Sequence, residues 1–446
     1  MTPPLVYNLF PRLVGPVTRW PEHAARAREM GFNWLYLNPW HYPGFSGSLY
    51  APKEYDRMNP LFVPPGGDEY SLEPLRTALG VINGMGLKPM MDLVVNHTSK
   101  DSPLIKEHPG WFLRDDRGEV QSPFVRDPDD PSKITVWGDL AEVDNAHAAD
   151  REELWRFWGS LVRQGVELGF HGFRCDAAYK VPVELWRFLV AEARRSDPAV
   201  QFFAETLGAP VEEVAALGEA GFDYFFNSSK WWSFTEGWAL EQHEKFRRIA
   251  PSISFPESHD TERLAAETEG DEAVQRQRYA FAAGYSAGVM MPVGYEFGFR
   301  RRMDVVSTLP ADWERRGMDL RSFVGRVNRL KVDHALLHGE GVLRAVGGTM
   351  GDVLVLERSA SDAPDAARGW MVVNKVWGEP REVDLGALVG GEADAYRLCR
   401  VCREDAPRGG EPVPARLVLD RAEVAFVLPA PPADAVGEDG DEEDED

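Results

Sequence analysis

Short apolar runs alternate with helical patterns along the chain up to about residue 340. Apolar side chains spaced by three and four residues, as at Leu72, Leu75 and Leu79, are typical of helices with one buried face. Buried parallel strands instead read as short, continuous apolar runs. Eight strands alternating with helices predict an α/β fold, a (β/α)8 TIM barrel, over residues 1–97 and 151–340. The eight runs are Leu5–Leu9, Asn33–Leu37, Lys88–Val95, Gly172–Asp176, Gln201–Glu205, Phe222–Phe226, Ser252–Phe255 and Gly288–Val293.

Three segments depart from this alternation. Residues 98–150 are rich in Pro, Asp and Gly and too long for an ordinary connection, which predicts a small subdomain inserted after strand three, over the catalytic face. Residues 341–430 contain short alternating stretches between Gly, Asp and Pro clusters, which predict a C-terminal antiparallel β-sandwich domain. Residues 431–446 are acidic and of low complexity, so we expect a disordered, solvated tail.

The composition narrows the classes of partner. The 446 residues include 72 acidic and 49 basic side chains, and the formal net charge of −23 repels phosphate backbones and anionic lipid. We therefore expect no nucleic-acid partner and no membrane partner. The first residues lack the features of a signal peptide, and the uncharged run Tyr279–Tyr295 contains Gly and Pro, so we expect a cytoplasmic protein. The spacing of Cys399 and Cys402 lacks the further ligands that a zinc site needs.

Acidic and imidazole side chains fall at the carboxyl ends of four predicted strands. Because these ends converge on one face of a (β/α)8 barrel, residues that are distant in sequence are expected to meet there. The interval from Asp176 to Glu205 corresponds to one strand–helix–strand step, and the interval from Glu205 to Asp260 corresponds to two. The residues at the four ends are Asp92, His97, Asp176, Glu205, His259 and Asp260.

Crowded carboxylates repel one another unless a cation or hydrogen bonds hold them. Arg174 lies two residues before Asp176, on the same side of an extended strand, and is placed to keep that carboxylate ionised. His97 and His259 are placed to donate hydrogen bonds to a neutral polyol. Paired carboxyl groups with neutral donors suit glycosidic bond cleavage, in which one carboxylate attacks the anomeric carbon and the other group protonates the leaving oxygen. A purely structural Asp–Arg pair and a helix-capping Asp260 are the alternatives.

These residues resemble the α-amylase family of glycoside hydrolases (family 13). The resemblance covers roughly residues 4–340, and the β domain that follows is similar to the C-terminal domain of that family. Six signature blocks are matched in order, by Gly31–Pro39, Asp92–His97, Gly172–Asp176, Phe202–Glu205, Ser254–Asp260 and Gly288–Glu296.

The resemblance implies a retaining mechanism with Asp176 as the nucleophile and Glu205 as the general acid/base. It also implies that Asp260 holds sugar hydroxyls and favours ring distortion, and that Tyr50 stacks on the reacting sugar. The expected partner is an α-glucan or maltooligosaccharide whose α-1,4 bonds are hydrolysed. The other substrate-binding residues that the resemblance implies are Asp92, His97, Arg174 and His259.

Part of the chain is similar to the maltosyltransferases that use maltose 1-phosphate, in the segments Ser46–Asn59, Ile105–Phe112 and Gly294–Glu296. In those enzymes an Asn usually follows the nucleophile and helps to bind phosphate, whereas this chain has Ala177. Hydrolysis is therefore the leading hypothesis. A transglycosylase or maltosyltransferase, with Lys180 near the acceptor, is the alternative. A non-catalytic sugar-binding protein is a further alternative, disfavoured because all three carboxylates are present.

Many amylases also bind a structural calcium ion, and the resemblance implies Asn96 and Asp139 as its candidate ligands. Four residues beyond the nucleophile, where the family places a His near a calcium-binding backbone group, this chain has Lys180. An ammonium group is no ligand and repels a cation. We therefore expect no metal site and no required cofactor, and structural calcium is the alternative.

Overall fold

The structure is a computed structural model that describes residues 2–126, 130 and 132–431. Apart from Pro431, the predicted acidic tail lies outside the described residues. Within those ranges, no helix has both the length and the apolar character that crossing a membrane requires.

Eight parallel strands close into a barrel, which confirms the predicted fold class. Each strand pairs with its neighbours in chain order, and the first pairs with the eighth to close the ring. Each observed strand begins and ends within two residues of the apolar run that predicted it. The strands are β1 (Leu5–Leu9), β2 (Trp34–Leu37), β3 (Lys88–Leu93), β4 (Gly172–Cys175), β5 (Gln201–Glu205), β6 (Tyr224–Phe226), β7 (Ser252–Ser254) and β8 (Gly288–Pro292).

The barrel interior consists of an apolar layer beneath a polar layer. Successive side chains of a strand point to opposite faces, so residues two apart line the interior together. Met90 and Phe203 belong to the buried apolar cluster inside the barrel. Two residues further towards the carboxyl ends, the same inward positions hold Asp92 and Glu205. The strand period therefore places these carboxylates directly above an apolar floor.

Helices surround the barrel and bury the faces that their sequence spacing predicts. They are α1 (Pro11–Val14), α2 (Trp20–Glu29), α3 (Glu73–Gly84), α4 (Leu104–Glu107), α5 (Arg151–Leu168), α6 (Val183–Ser196), α7 (Val211–Ala216), α8 (Trp238–Phe246), α9 (Leu264–Glu267), α10 (Glu272–Tyr285), α11 (Arg321–Asp333) and α12 (Gly386–Val389). Helix α3 buries Leu75, Leu79 and Ile82 as expected. Helix α5 ends at Leu168 and is capped by Gly169, whose φ of 109° lies in the left-handed region that glycine adopts without strain.

The long connections that follow β2 and β3 contain short antiparallel strands. These connections leave the carboxyl ends of the barrel strands, so their strand pairs stand next to the polar layer. The second connection is the segment that the sequence predicts as an inserted subdomain. The pairs are His41–Pro43 with Pro52–Met58, His97–Ser99 with Leu140–Glu142, and Phe124–Arg126 with Ile134–Val136.

The C-terminal part of the chain is antiparallel, as the sequence predicts. Its strands are β9 (Val342–Val346), β10 (Val353–Ser359), β11 (Arg368–Asn374), β12 (Arg381–Asp384), β13 (Tyr396–Cys399), β14 (Arg416–Leu419) and β15 (Val424–Pro429). A five-stranded sheet has the order β9–β10–β11–β15–β13, and β12 pairs with β14. Val372, Leu398 and Leu419 belong to one buried apolar cluster, which joins the two sheets.

Two buried basic side chains donate hydrogen bonds to carbonyl groups at the C-terminal end of α10. Arg358 of β10 donates hydrogen bonds to the carbonyl oxygens of Gly284 and Tyr285, both at 3.0 Å. Lys331 of α11 donates to the carbonyl oxygen of Ala283 at 2.8 Å. Carbonyl groups at a helix end have no partner within the helix, so these side chains supply the missing donors. Arg358 thereby fixes the C-terminal sheet to the barrel.

We expect Arg358→Met to lower the free energy of unfolding by about 2–4 kcal/mol, because buried carbonyl groups lose their donors. Chemical denaturation followed by tryptophan fluorescence measures this change. Arg344→Met is the matched control, because Arg344 is exposed on the neighbouring strand β9. The control should change the free energy by less than about 0.5 kcal/mol. Equal losses in the two variants would contradict a special role for Arg358.

Candidate active site

A buried guanidinium lies at the centre of the polar layer. Arg174 of β4 has 5% of its side chain exposed. Its Nη1 atom lies 2.7 Å from Asp176 Oδ1 and 3.1 Å from Asp92 Oδ1. Its Nη2 atom lies 2.9 Å from Glu205 Oε1 and 3.9 Å from Asp260 Oδ2. The structure therefore brings four predicted carboxylates around one cation, and we call these five residues the Arg174 cluster.

The pairing of the strands explains this arrangement. In the parallel register Arg174 stands beside Asp92 on β3. Asp176 follows the end of β4, and its N–H group donates to the carbonyl oxygen of Leu93 at 3.1 Å, which extends the pairing of β3 with β4. Asp260 comes from the loop after β7 and lies on the rim, where 44% of its side chain is exposed. Three carboxylates of the cluster are thus deep in the barrel mouth, and the fourth faces solvent.

Asp92 is anchored by two phenols. The hydroxyl groups of Tyr36 and Tyr50 donate to Asp92 Oδ2 at 2.5 and 2.6 Å. The Tyr50 hydroxyl also accepts a hydrogen bond from Asn38 Nδ2 at 2.8 Å. Burial raises the pKa of Asp92, whereas Arg174 and the two phenols oppose that rise. Sequence reasoning missed Tyr36 and Asn38, although both lie in or beside the matched block on strand two.

His97 and His259 are neutral imidazoles next to the cluster. Burial lowers the pKa of each to about 4. His97 Nε2 donates to the carbonyl oxygen of Tyr50 at 2.9 Å and lies 4.0 Å from Asp176 Oδ2. His259 Nε2 lies 3.1 Å from Asp260 Oδ2, and its ring stacks on that of Tyr50 with the centroids 5.4 Å apart. Both imidazoles therefore stay uncharged near neutral pH, which suits contact with neutral hydroxyl groups.

Glu205 is held from two sides, by Arg174 and by the backbone. The N–H group of Ala177 donates to Glu205 Oε2 at 2.7 Å. Ala177 has a φ of 42°, a left-handed conformation that costs free energy in a residue with a Cβ atom. Burial and the neighbouring Glu205 carboxylate raise the pKa of Asp176 well above its usual range, although Arg174 opposes the rise. Asp176 therefore binds a proton more tightly than an isolated carboxylate does.

A buried ion pair closes the loop that carries His259 and Asp260. Arg263 Nη1 lies 2.5 Å from Glu257 Oε1, and each side chain is 1% exposed. The N–H group of Leu264 donates to the other oxygen of Glu257 at 2.6 Å. The two ends of the loop are thus tied together, which fixes the backbone that presents the imidazole and the rim carboxylate. Sequence reasoning did not identify this pair, because it depends on contacts across the loop.

Lys180, a predicted substrate-binding residue, lies apart from the Arg174 cluster. Its ammonium group is 3.6 Å from Glu213 Oε2, on helix α7. It also lies 5.3 Å from the centre of the Tyr179 ring. The proximity of Lys180 to an acceptor stays a prediction.

Asn96 and Asp139, the candidate calcium ligands, use their carbonyl groups in backbone pairing. The carbonyl oxygen of Asn96 accepts from the N–H group of Val143 at 3.0 Å, and that of Asp139 accepts from Lys100 at 2.9 Å. One group of His, Cys, Asp or Glu side chains in the described ranges has the spacing of metal ligands, and it contains neither residue. Structural calcium stays the alternative to the expected absence of a metal site. That group is His108, Asp150 and Glu153.

A small cavity opens beside the cluster. It is lined by Arg174, Glu205, Leu207, His259 and Asp260, together with apolar residues of the barrel interior. The guanidinium, two carboxyl groups and an imidazole thus face one space at the carboxyl ends of the strands. This arrangement can exchange protons with a bound molecule and stabilise positive charge on it.

Fold and site together define a (β/α)8-barrel protein with a carboxylate centre at the carboxyl ends of its strands. Residues 5–114 match the family model described as glycogen debranching enzyme, glucanotransferase domain. The chain is 26% identical to an alpha-1,4-glucan:maltose-1-phosphate maltosyltransferase of Burkholderia pseudomallei, over 97% of this chain and 39% of the relative. The enzyme of that name from Myxococcus xanthus is also 26% identical, over 75% of this chain and 52% of the relative. The chain thus spans between two fifths and about half of the length of these relatives.

Solved structures of amylases have the same fold. The α-amylase of Lactobacillus plantarum superposes with a TM-score of 0.70 at 20% identity, over 95% of this chain and 98% of that chain. An α-amylase of Anoxybacillus superposes with a TM-score of 0.73 at 15% identity, over 96% and 98%. The chain therefore shares the fold of these amylases, and its sequence is similar to those of the maltosyltransferases and, over residues 5–114, to the glucanotransferase domain model.

We expect Tyr50→Phe to lower the free energy of unfolding by about 1–3 kcal/mol, because Asp92 loses a buried donor while the ring stays stacked on His259. Denaturant titration measures this change. Tyr70→Phe is the control, because Tyr70 is 60% exposed, and it should change the free energy by less than about 0.5 kcal/mol. An unchanged free energy in Tyr50→Phe would contradict the anchoring role of its hydroxyl group.

Proposed function

We propose that the chain is a retaining glycoside hydrolase that cleaves α-1,4-glucosidic bonds of maltooligosaccharides or of glycogen- and starch-type glucans. The observation that carries the proposal is the Arg174 cluster, in which Asp176 and Glu205 contact one guanidinium at 2.7 and 2.9 Å. A retaining mechanism needs one ionised carboxylate and one protonated carboxyl group close together. The relation to the α-amylase family supports the same reaction class.

In the first step, a carboxylate oxygen of Asp176 attacks the anomeric carbon while the bond from that carbon to the leaving oxygen breaks. Glu205 carries the proton of the pair in the substrate complex and gives it to the leaving oxygen, so a shortened glucan departs. The products of this step are a covalent glycosyl ester on Asp176 and an ionised Glu205. Arg174 stabilises the carboxylates of the pair before and after the proton moves.

In the second step, Glu205 takes a proton from a water molecule as the water oxygen attacks the anomeric carbon. The ester bond to Asp176 breaks, and both carboxyl groups return to their starting states. The net reaction consumes one water molecule for each glucosidic bond cleaved. Two displacements at the same carbon retain its configuration.

The residues around the pair bind and orient the reacting sugar in this proposal. Tyr50 offers a ring to the apolar C–H face of the pyranose, since aromatic faces suit such surfaces. His97 and His259 are uncharged, so they lie next to the reacting sugar without adding a positive charge that would oppose the positive transition state. Asp92 anchors Tyr50, and Asp260 accepts hydrogen bonds from hydroxyl groups at the rim.

Maltosyl transfer is the second candidate function. It is supported by the names of the relatives from Burkholderia pseudomallei and Myxococcus xanthus, which use maltose 1-phosphate and an α-1,4-glucan. The glycosyl ester on Asp176 is common to both functions, and only the acceptor differs. Ala177 supports hydrolysis, because a methyl group offers phosphate no hydrogen bond. The cytoplasmic location, the lack of a cofactor and the absence of nucleic-acid and membrane partners stay predictions from the sequence.

We expect Asp176→Asn to lower kcat/KM on maltoheptaose by about a thousandfold or more, because the ester can no longer form. Release of reducing ends measures the rate. Asp365→Asn, in an exposed loop of the C-terminal part, is the matched control and should retain the wild-type rate. Full activity in Asp176→Asn would refute the assigned nucleophile.

Product analysis in the same assay separates the two candidate functions. Mass spectrometry of the wild-type reaction should show shortened glucans with and without added phosphate or maltose 1-phosphate. Chains lengthened by maltosyl units from maltose 1-phosphate, with release of phosphate, would instead favour transfer. Because both outcomes require Asp176, the variant tests the mechanism whichever acceptor is used.

The pH dependence of kcat/KM should be bell-shaped, since the active pair holds one proton. Activity falls at low pH when both groups are protonated, and it falls at high pH when the shared proton is lost. The raised pKa of Asp176 marks a pair that holds this proton above the range of a lone carboxyl group, so the alkaline limb should lie above that range. With α-maltosyl fluoride, whose leaving group needs no proton, Glu205→Gln should lose the alkaline limb. An unaltered profile would refute the role of Glu205.

A further inference from the structure

Trp231 is an exposed indole on the carboxyl face of the barrel that the reaction steps do not use. It is 52% exposed and ends the short turn Ser229–Trp231, which follows strand β6. Strand β6 is the neighbour of β5, which carries Glu205 at its carboxyl end. The indole therefore stands next to the strand that provides the proposed acid/base.

Neighbouring residues hold the turn that presents Trp231. The hydroxyl group of Ser229 donates to Ser254 Oγ at 2.9 Å inside the protein. The ammonium group of Lys230 lies 3.1 Å from Glu267 Oε1, and 5% of the lysine side chain is exposed. These contacts hold the side chains of Ser229 and Lys230 towards the protein, whereas the indole of Trp231 points outward. A ring held in place loses little conformational entropy when it binds a partner.

The loop that leaves Glu205 packs directly against Trp231. The hydroxyl group of Thr206 donates to the carbonyl oxygen of Phe226, at the end of β6, at 2.8 Å. The N–H group of Gly208 donates to Ser228 Oγ at 3.0 Å. A Cβ atom added at Gly208 would lie 3.4 Å from two atoms of the six-membered ring of Trp231. Gly208 has a φ of 70°, a left-handed conformation that glycine adopts without strain.

We propose that Trp231 is a stacking platform for a glucose unit on the leaving-group and acceptor side of the site. The inference rests on the proposed function and specifies where its substrate extends. Glu205 exchanges a proton with the leaving oxygen, so the sugars beyond that oxygen pass the loop that follows Glu205. Gly208 is three residues along that loop, so its Cα lies at most about 11 Å from that of Glu205.

The position of Leu207 indicates which sugar Trp231 contacts. Leu207 lines the cavity beside the Arg174 cluster, whereas Trp231 does not line it and instead lies against Gly208, the next residue of the loop. The indole therefore contacts an outer glucose unit and not the glucose ring whose glycosidic bond is cleaved. Indole faces match the apolar C–H face of a pyranose, and the interaction requires no charge on the ligand. A long acceptor or substrate should gain from this contact, and a short one should not.

The test measures binding to a chain that cannot turn over. In an Asp176→Asn background, Trp231→Ala should weaken the binding of maltoheptaose about five- to tenfold by calorimetry, the loss expected for one aromatic contact. Binding of maltose, which is too short to reach the platform, should be unchanged. Trp231→Phe keeps a ring and should restore most of the affinity. Trp377→Ala is the matched control, because Trp377 is 42% exposed in the C-terminal part and should have no effect.

The outcomes distinguish this inference from the proposed function. If the wild-type chain cleaves or transfers maltoheptaose and Trp231→Ala binds it as tightly as Trp377→Ala does, the platform is refuted and the proposed function stands. If Trp231→Ala weakens maltose and maltoheptaose equally, Trp231 acts on the reacting site and the outer platform is again refuted. If the wild-type chain neither binds nor converts any maltooligosaccharide, the proposed function falls and the inference falls with it.

Discussion

The site depends on one buried cation that holds several carboxylates together. Four carboxyl groups surround Arg174, and a single positive charge cannot offset four negative ones. Two features relieve the excess. Asp92 receives two phenolic hydrogen bonds in addition to its contact with the guanidinium, and Asp260 faces solvent. The remaining excess acts on Asp176, whose pKa is raised well above its usual range by burial and by the neighbouring Glu205 carboxylate. The excess of negative charge thus favours binding of the proton that the proposed chemistry uses.

The barrel makes this concentration of charge tolerable by fixing which side chains face inward. Alternate residues of each strand face the interior. A shift of the β4 pairing by one residue would therefore turn Cys175 inward in place of Arg174. In the observed register the thiol of Cys175 is buried. Below the charged layer, the cluster that includes Phe203 and Met90 excludes water and supports the polar groups. Because the strands are short, their loops begin at the charged layer, and rim groups such as Asp260 come from loops.

The parts of the fold that follow from local periodicity could be predicted from the sequence. Apolar runs mark all eight strands, and the position of Asp176 or Glu205 at the end of a run places it on one face of a closed barrel. Contacts that arise from tertiary approach could not be predicted. Nothing in the sequence near Ala177 indicates that its N–H group faces Glu205, because that contact depends on a left-handed backbone and on the pairing of β4 with β5. The contacts of Lys180 with Glu213 and Tyr179 likewise arise from tertiary approach, and its assignment to the substrate stays a prediction.

In the proposed mechanism, hydrolysis and glycosyl transfer can use the same catalytic centre. Glu205 accepts hydrogen bonds from Arg174 and Ala177, so both of its oxygens have a donor in the free site. The proposed mechanism requires Glu205 to give a proton to the leaving oxygen in the first step. In the second step of the proposal, Glu205 accepts a proton from the hydroxyl group that attacks the glycosyl ester, whether that group belongs to water or to a sugar. In this proposal the Arg174 cluster determines which bond is cleaved. The surfaces beyond Glu205 determine which acceptor molecule takes the place of the leaving group.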